Sequence, residues 1–580
     1  MIINGKMKKT IAFLMLFPVT SAIAAQNLLP VKWKFNMGDD PGWARPDFND
    51  NEWSEITCGA RWEEQGYNNY DGFAWYRVSV VIPSSLKVEA LKRGGLILKL
   101  GMIDDADYTY WNGILLGKTG EMPPHYQGAY DKERKYIIAP DRVSWDLPNV
   151  IAVRVFDDWG GGGIYSSPVE LTLVGASDLL GMQVSHGSAD GICPEGEEVK
   201  LQIQFNNGLK EKVQGNLSLE VYSDFKKEIT SVQSKVVLSA GRQKRITVPV
   251  GKLPPGFYVA RVLLSGRVTN KAGECSFGVA PGKIVSPPDP RPDFDDYWIR
   301  ARRELDAVAP RFSVKKIDTL CTGKNLVYLV EMRSLGNILI RGWYITPVAQ
   351  GKYPAVLKVQ GYGTDQQASW GYFADDVVSF VLNIRGHGNS RDNCNPGFPG
   401  FLVHNLGDSE LFIYRGAYMD CIRAVDFLCT RPEVDTSRVA VEGGSQGGAL
   451  SFATAALDKR VMACAPDVPF LSDFRDYFQI APWPNNEFAT FMAGHPGLTW
   501  DQVFTVLSYI DIKNLAPLVA CPVFMQVGLL DNVCPPHINF AAYNNLQCPK
   551  SYKVYPFSGH GLPAVSWDVK RDWLREQFGL

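Results

Sequence analysis

Val439-Ala-Val-Glu-Gly-Gly-Ser445-Gln-Gly-Gly-Ala-Leu-Ser-Phe-Ala-Thr-Ala-Ala456 decides how the larger half of this chain folds. Three apolar, strand-forming residues run into a glycine-rich turn, and a helix of small residues leaves it. The turn itself, Gly443-Gly444-Ser445-Gln446-Gly447, matches G-x-S-x-G, a weak signal alone in a chain with 54 glycines. Its surroundings supply the specificity. A serine held in a tight strand–turn–helix bend needs small neighbours and is presented clear of the sheet. The start of the helix also favours the negative charge that develops beside an attacking hydroxyl.

The same alternation extends outward on both sides. Strands are predicted at 355–359, 377–384, 461–465, 523–527 and 552–555, and helices at 409–428 and 447–456. Alternation over nearly 300 residues predicts a doubly wound, mostly parallel sheet, with reactive residues at the carboxyl ends of its strands. A serine hydroxyl needs a base, and three histidines follow Ser445: His495, His537 and His560. His560 lies in Ser558-Gly-His-Gly561, directly after the last predicted strand, whereas His495 and His537 read as surface or packing residues. The orienting acid is expected at the end of the preceding strand, where Asp531 stands, with Asp467 as the fallback. The order Ser445, Asp531, His560 is the one this arrangement requires. The oxyanion donors are expected to be the backbone N–H of Gln446 and of Tyr362, in Gln360-Gly-Tyr-Gly363 after an earlier strand. The scattered histidines lack zinc-site spacing, so no metal and no cofactor is implied.

The first half of the chain reads differently. Residues 27–176 show short alternating strands and an Asn112-Gly113 turn, the pattern of an all-β jelly roll. Residues 177–285 show a second all-β rhythm that fits an immunoglobulin-like sandwich. Ser286-Pro-Pro-Asp-Pro-Arg-Pro-Asp293 reads as a stiff linker. The fold class is therefore two all-β sandwich domains followed by an α/β-hydrolase domain at 286–580. Asp104-Asp105 reads as a solvated turn.

Lys8-Lys9, the apolar run 11–18 and Ala22-Ile-Ala24 have the form of a signal peptide over residues 1–25, so export to the periplasm or beyond is expected. The apolar run is too short to span a bilayer. A net charge of −2, with both signs mixed along the chain, argues against a nucleic-acid partner and against adhesion to an anionic membrane. Eleven cysteines leave at least one unpaired thiol; Cys193 with Cys275 is the one pair singled out as a disulfide candidate.

Residues 293–580 resemble the acetyl xylan esterase and cephalosporin-C deacetylase family (carbohydrate esterase family 7). The matching stretches are Pro292-Asp-Phe-Asp-Asp-Tyr-Trp298, Arg385-Gly-His-Gly388, Glu442-Gly-Gly-Ser-Gln-Gly-Gly448, Asp467-Val-Pro-Phe-Leu471 and Gly528-Leu-Leu-Asp-Asn-Val-Cys-Pro-Pro536. The resemblance implies deacetylation of sugars or acetylated small molecules, with Ser445, Asp531 and His560 as triad, Tyr362 and Gln446 as oxyanion donors, and Arg385 and His387 flanking the site. It also implies a homo-oligomer, usually a hexamer. Two motifs depart from the family: Arg-Gly-Gln is expected where Arg385-Gly386-His387 stands, and His-Glu where His560-Gly561 stands. The first region resembles galactose-binding-like jelly rolls through Asn51-Glu-Trp53, Gly72-Phe-Ala-Trp-Tyr-Arg77 and Tyr110-Trp-Asn-Gly113, although burial in a core explains those aromatics as well as sugar stacking does. The partner expected is an acetylated oligo- or polysaccharide. The rivals are a prolyl-oligopeptidase-like serine peptidase, told apart by a chromogenic dipeptide, and an inactive carbohydrate-binding protein, told apart by fluorophosphonate labelling.

Overall fold

The computed structural model describes residues 27–580 except 69, 159, 268–269 and 372, so the expected signal peptide lies outside the described residues. Contacts divide the chain into two compact units, one ending at Leu180 and one spanning Gly181–Leu580. Among the described residues no helix is long and apolar enough to cross a membrane.

The first unit is all-β apart from short helical turns. A six-stranded sheet runs in the order 54–57, 32–37, 72–81, 148–157, 106–111, 114–119, and a second sheet joins 169–173, 96–104 and 133–138. Period-two alternation sends Trp33, Tyr76 and Trp111 into the main core and Trp75 to the opposite face, where it is buried in a second cluster with Ala44 and Trp53, so these aromatics are core residues. Asp104-Asp105 is not the solvated turn expected. Asp105 is buried between two strands, its N–H donating to Phe156 O at 2.9 Å.

The second unit begins with two β-sheets, of three and five strands, over residues 180–279. The contacts do not part these strands from the rest of the unit: Phe257 packs on Phe540 with ring centroids 5.7 Å apart. Cys193 and Cys275 are free thiols, as are the other nine cysteines. The reason is register, since Cys193 lies opposite Val279. Cys275 is four residues further along that strand, about 13 Å away at 3.3 Å per residue, against a Cα separation of at most about 7 Å for a disulfide.

A nine-stranded sheet forms the rest. Its strands are β1 (Ser313–Lys316), β2 (Asn325–Ser334), β3 (Ile338–Pro347), β4 (Tyr353–Val359), β5 (Val378–Asn383), β6 (Val434–Gly444), β7 (Val461–Asp467), β8 (Val523–Gly528) and β9 (Lys550–Tyr555). They lie in the order β1-β2-β3-β5-β4-β6-β7-β8-β9, antiparallel as far as β3–β5 and parallel from there on. The strand order reverses between β5 and β4, and Tyr362, Ser445, Asp531 and His560 follow β4, β6, β8 and β9 respectively. Helices α1 (Phe294–Ala307), α2 (Ile413–Cys429), α3 (Gln446–Leu457), α4 (Asn485–Ala493), α5 (Pro536–Asn545) and α6 (Val565–Phe578) accompany the sheet.

His537, at the start of α5, is buried and ties this layer to the preceding sandwich: its Nδ1 lies 2.8 Å from Asp224 Oδ2 and its Nε2 3.5 Å from Asp476 Oδ2. Burial opposes its charge, but the two carboxylates outweigh burial and raise its pKa to about 9. The stabilisation is complete below the ordinary histidine pKa of about 6.5 and is lost as pH rises through about 9. Chemical-denaturation midpoints should therefore fall between pH 6.5 and 9 in the wild type. In His537→Gln this slope should be absent.

Candidate active site

β6 is buried on both faces over 439–443 and ends at Gly444, where the chain turns sharply into α3. Ser445 occupies the turn with φ 58° and ψ −120°, a costly conformation for a residue with a side chain. The surroundings hold it there. Ser445 N–H donates to Asp467 O at 2.9 Å, and Ser445 O accepts from Phe470 N–H at 3.0 Å. A Cβ on Gly443 or Gly447 would fall 2.6 or 2.4 Å from Val359 O, so the end of β4 approaches the turn as closely as glycine permits.

That approach sets Tyr362, in the loop after β4, beside the first turn of α3. The Tyr362 N–H has no acceptor among the described residues, and Gln446 N–H belongs to the first helical turn, whose amides lack intrahelical partners. The Tyr362 hydroxyl donates to Glu487 of α4 (2.8 and 3.0 Å), and the same carboxylate accepts Gly400 N–H at 2.7 Å. Its ring packs on Phe398 (4.9 Å) and Trp483 (5.6 Å), and Trp483 on Phe470 (5.0 Å).

Asp531 follows β8 and is buried. Its Oδ1 accepts the N–H groups of Val533 and Cys534, each at 2.8 Å, which leaves Oδ2 for His560 Nδ1 at 2.8 Å. His560 follows β9, its side chain 31% exposed. Cys534 links the two halves. Its Sγ is 3.9 Å from Ser445 Oγ and, with one carboxylate oxygen of Asp531 and one ring nitrogen of His560, belongs to a set of atoms within 4.8 Å of one another. Ser445, Asp531 and His560 therefore converge from three strand ends. Among the described residues no hydrogen bond joins Ser445 Oγ to the imidazole, and the half of the relay that is formed is His560–Asp531. Burial pushes the Cys534 thiol far above its ordinary pKa, which keeps it protonated and unreactive.

Asp467, the fallback acid, is otherwise engaged. It accepts from Lys570 Nζ at 2.6 Å and Gln526 Nε2 at 2.9 Å, while Lys570 also reaches Glu442 at 2.7 Å. The Lys570 side chain is 4% exposed, and this buried cation holds two carboxylates at the bases of the β6 and β7 turns. Lys570→Met should cost about 3–5 kcal/mol of stability by stranding Asp467 and leaving Glu442 with only Lys358, 3.9 Å away, measured by urea denaturation. A loss under 1 kcal/mol would mean that the carboxylates do not depend on it.

Arg385 and His387 lie behind the turn rather than facing the hydroxyl. Arg385 makes a two-pronged bond to Asp420 (2.9 and 2.8 Å), in a space where a Cβ on Gly416 would collide at 2.0 Å. His387 is fully buried, and burial lowers its pKa to about 4, so the ring is neutral. It sits 3.2 Å from Gln446 Nε2 and 3.4 Å from Arg385 O, while Gln446 Oε1 accepts the Tyr414 hydroxyl at 2.8 Å. With the proton on Nδ1, facing Arg385 O, the ring's Nε2 accepts from the Gln446 amide. His387 thus fixes the Gln446 side chain at the start of α3. Sequence reasoning gives no role to Cys534, although the Asp531-x-x-Cys spacing is plain in the chain, and it misses Tyr414, Glu487 and Tyr477, whose hydroxyl donates to Val533 O and lies 3.9 Å from Cys534 Sγ. Beyond Glu487, a cleft of about 980 Å³ lies between residues 396–411 and 491–498; its lining does not include the triad.

Comparison with known proteins gives a consistent answer. The acetyl xylan esterase (AXE1) family profile matches residues 286–576. An acetyl esterase of Xylanibacter ruminicola is 29% identical over 420 residues, covering 69% of this chain and 91% of that protein. Among solved structures, acetyl xylan esterase 1 from Thermoanaerobacterium sp. JW/SL YS485 is 33% identical, covering 50% of this chain and 96% of its own, with a TM-score of 0.48. The acetyl xylan esterase from Paenibacillus sp. R4 is 30% identical, with coverages of 51% and 98% and a TM-score of 0.49.

Proposed function

We propose, since the chain belongs to the acetyl xylan esterase family and is a carboxylic ester hydrolase of the acetyl esterase kind, that it deacetylates carbohydrate esters by two-step acyl transfer on Ser445. The hydrogen bond between His560 Nδ1 and Asp531 Oδ2, 2.8 Å long, carries this reading. It holds the proton on Nδ1 and leaves the Nε2 lone pair to take the proton of Ser445 Oγ as that oxygen attacks the acetyl carbonyl. The carbonyl oxygen gains negative charge against the N–H groups of Tyr362 and Gln446, donors worth roughly 3 kcal/mol each. His560 then protonates the departing sugar oxygen. Water, deprotonated by the same ring, attacks the acetyl-serine; the Ser445 Oγ–acyl bond breaks, His560 returns the proton to Oγ, and acetate leaves. The aromatic wall of Tyr362, Trp483, Phe470 and Phe398 favours a short acyl group over a long chain.

In this reading residues 27–176 are a galactose-binding-like jelly roll, 177–285 an immunoglobulin-like sandwich and 286–580 the α/β-hydrolase. Residues 1–25 direct export to the periplasm or beyond, and the enzyme works as a homo-oligomer. Acetylated xylan and related glycans are the proposed substrates, with cephalosporin C-type acetyl esters as small-molecule surrogates. The test is acetate release from a panel of acetylated glycans, cephalosporin C, p-nitrophenyl acetate and p-nitrophenyl butyrate, with a chromogenic dipeptide as control. Turnover of the acetates and not of the dipeptide is expected. Dipeptide cleavage without ester turnover would assign the site to a peptidase.

A further inference from the structure

The two sheets of the first unit bring together three carboxylates that nothing in the esterase chemistry uses. Asp104 ends the strand Leu96–Asp104, Asp105 follows it, and Asp157 ends the strand Pro148–Asp157. Strand pairing brings them together: Ala106 lies opposite Phe156, and Asp104 opposite Gly163. One carboxylate oxygen from each residue lies within 4.8 Å of the other two.

Such a cluster should carry compensating charge, and the described residues supply little. Asp157 is completely buried, and neither of its carboxylate oxygens has a hydrogen-bond partner. Asp105 Oδ2 accepts Asp158 N–H at 3.0 Å, and the Tyr126 phenol faces the same carboxylate. The nearest cation on Asp104 is Arg61, 3.9 Å away on a side chain 47% exposed. Arg134 is spent on Asp107 and on the backbone oxygens of Ala129, Lys132 and Asp105. Burial, then the neighbouring carboxylates, raise the pKa of Asp104 to about 7 and of Asp157 to about 8. Three acids are therefore forced together at a place where their charges repel.

We propose that Asp104, Asp105 and Asp157 form a binding site for a hard divalent cation, calcium in the first instance, within the first unit. The donors are all carboxylate oxygens, the set that calcium prefers; no nitrogen or sulfur belongs to the group, which disfavours zinc or copper. Two oxygens bound to one calcium at about 2.4 Å can be no more than about 4.8 Å apart, and these three meet that limit. A cation there would satisfy both orphaned oxygens of Asp157 and pin the ends of two strands that are far apart in sequence.

The experiment uses the full chain, dialysed against a chelator and then titrated with CaCl₂ or MgCl₂ by calorimetry and by thermal unfolding. Wild type should bind one calcium per chain and unfold several degrees higher with it. In Asp157→Asn the calcium shift should vanish, and its unfolding temperature in chelator should equal or exceed that of wild type because one crowded charge is gone. Asp104→Asn, checked by circular dichroism, serves as the second variant should the first fail to fold. A preference for magnesium over calcium would change the ion but keep the site. Absence of binding by wild type at 10 mM of either ion (about tenfold above the weakest calcium dissociation constants, about 1 mM), or an undiminished calcium shift in both variants, would overturn the proposal in favour of shared protons.

Discussion

Ser445→Ala is expected to lower kcat for p-nitrophenyl acetate about 10⁴- to 10⁶-fold while leaving the fold intact. That is roughly 5–8 kcal/mol of barrier. Without Oγ no acyl-enzyme forms, and the residual rate is whatever Tyr362 N–H, Gln446 N–H and His560 can draw from direct attack by water. The expectation of an intact fold is specific to this site. Alanine bears the same positive φ of 58° that serine does, and the three backbone hydrogen bonds of the residue remain. Truncation at Cβ removes the 3.9 Å approach of Oγ to Cys534 Sγ, too long and too weak an interaction to matter for stability. Cys534 will not substitute as nucleophile, because its thiol is buried and held protonated. A fluorophosphonate should label the wild type on Ser445 and leave the variant unlabelled. More than one-tenth of wild-type activity in the variant would move the nucleophile elsewhere.

Much of the parallel sheet is legible in the sequence because each of those strands is a short apolar run next to a helix or a glycine-rich turn. The triad is legible for the same reason: Ser445, Asp531 and His560 each stand a few residues after such a run. What escapes a reading of the sequence does so for physical causes. Ile338-Leu-Ile-Arg-Gly-Trp-Tyr-Ile345 is apolar on both faces and offers no periodicity to separate strand from helix, and β1 to β3 escape notice with it. The helix expected at 409–428 starts only at Ile413, because Asp408 Oδ1 accepts the N–H groups of Glu410 and Leu411 and holds a turn there. Strand β6 extends beyond 439–441 to Val434–Gly444 because Val434 and 439–443 pair with β4, while the polar residues 435–438 are passed over by a register shift. Charge suggests solvent for Asp104-Asp105, whereas burial beside Asp157 follows from a strand pairing no local pattern announces. Glu487 and Tyr477 reach the site from the segment between β7 and β8, so only tertiary contacts reveal them.

Asp531→Asn should reduce kcat about 10⁴-fold with little change in stability, and the hydrogen bonds of this residue say why. Asp531 Oδ1 accepts two backbone N–H groups, from Val533 and Cys534, and Oδ2 accepts the proton on His560 Nδ1. An asparagine can satisfy the two backbone donors only with its oxygen, so its NH₂ must face the imidazole. Nδ1 must then be the acceptor, the ring proton moves to Nε2, and the nitrogen that faces the serine can no longer take a proton. Flipping the amide restores the tautomer but sets NH₂ against two buried N–H groups, a penalty of about 1–3 kcal/mol for each donor left unmet. Asp531→Ala leaves the ring free to choose its tautomer, so it should lose less kcat than the asparagine variant even though it unsatisfies the same backbone donors and is less stable. Nitrogen-15 NMR of His560 reads the tautomer directly, with the proton on Nδ1 in wild type and on Nε2 in Asp531→Asn. An asparagine variant within tenfold of wild-type kcat, or one whose ring keeps its proton on Nδ1, would show that this carboxylate does not orient the base.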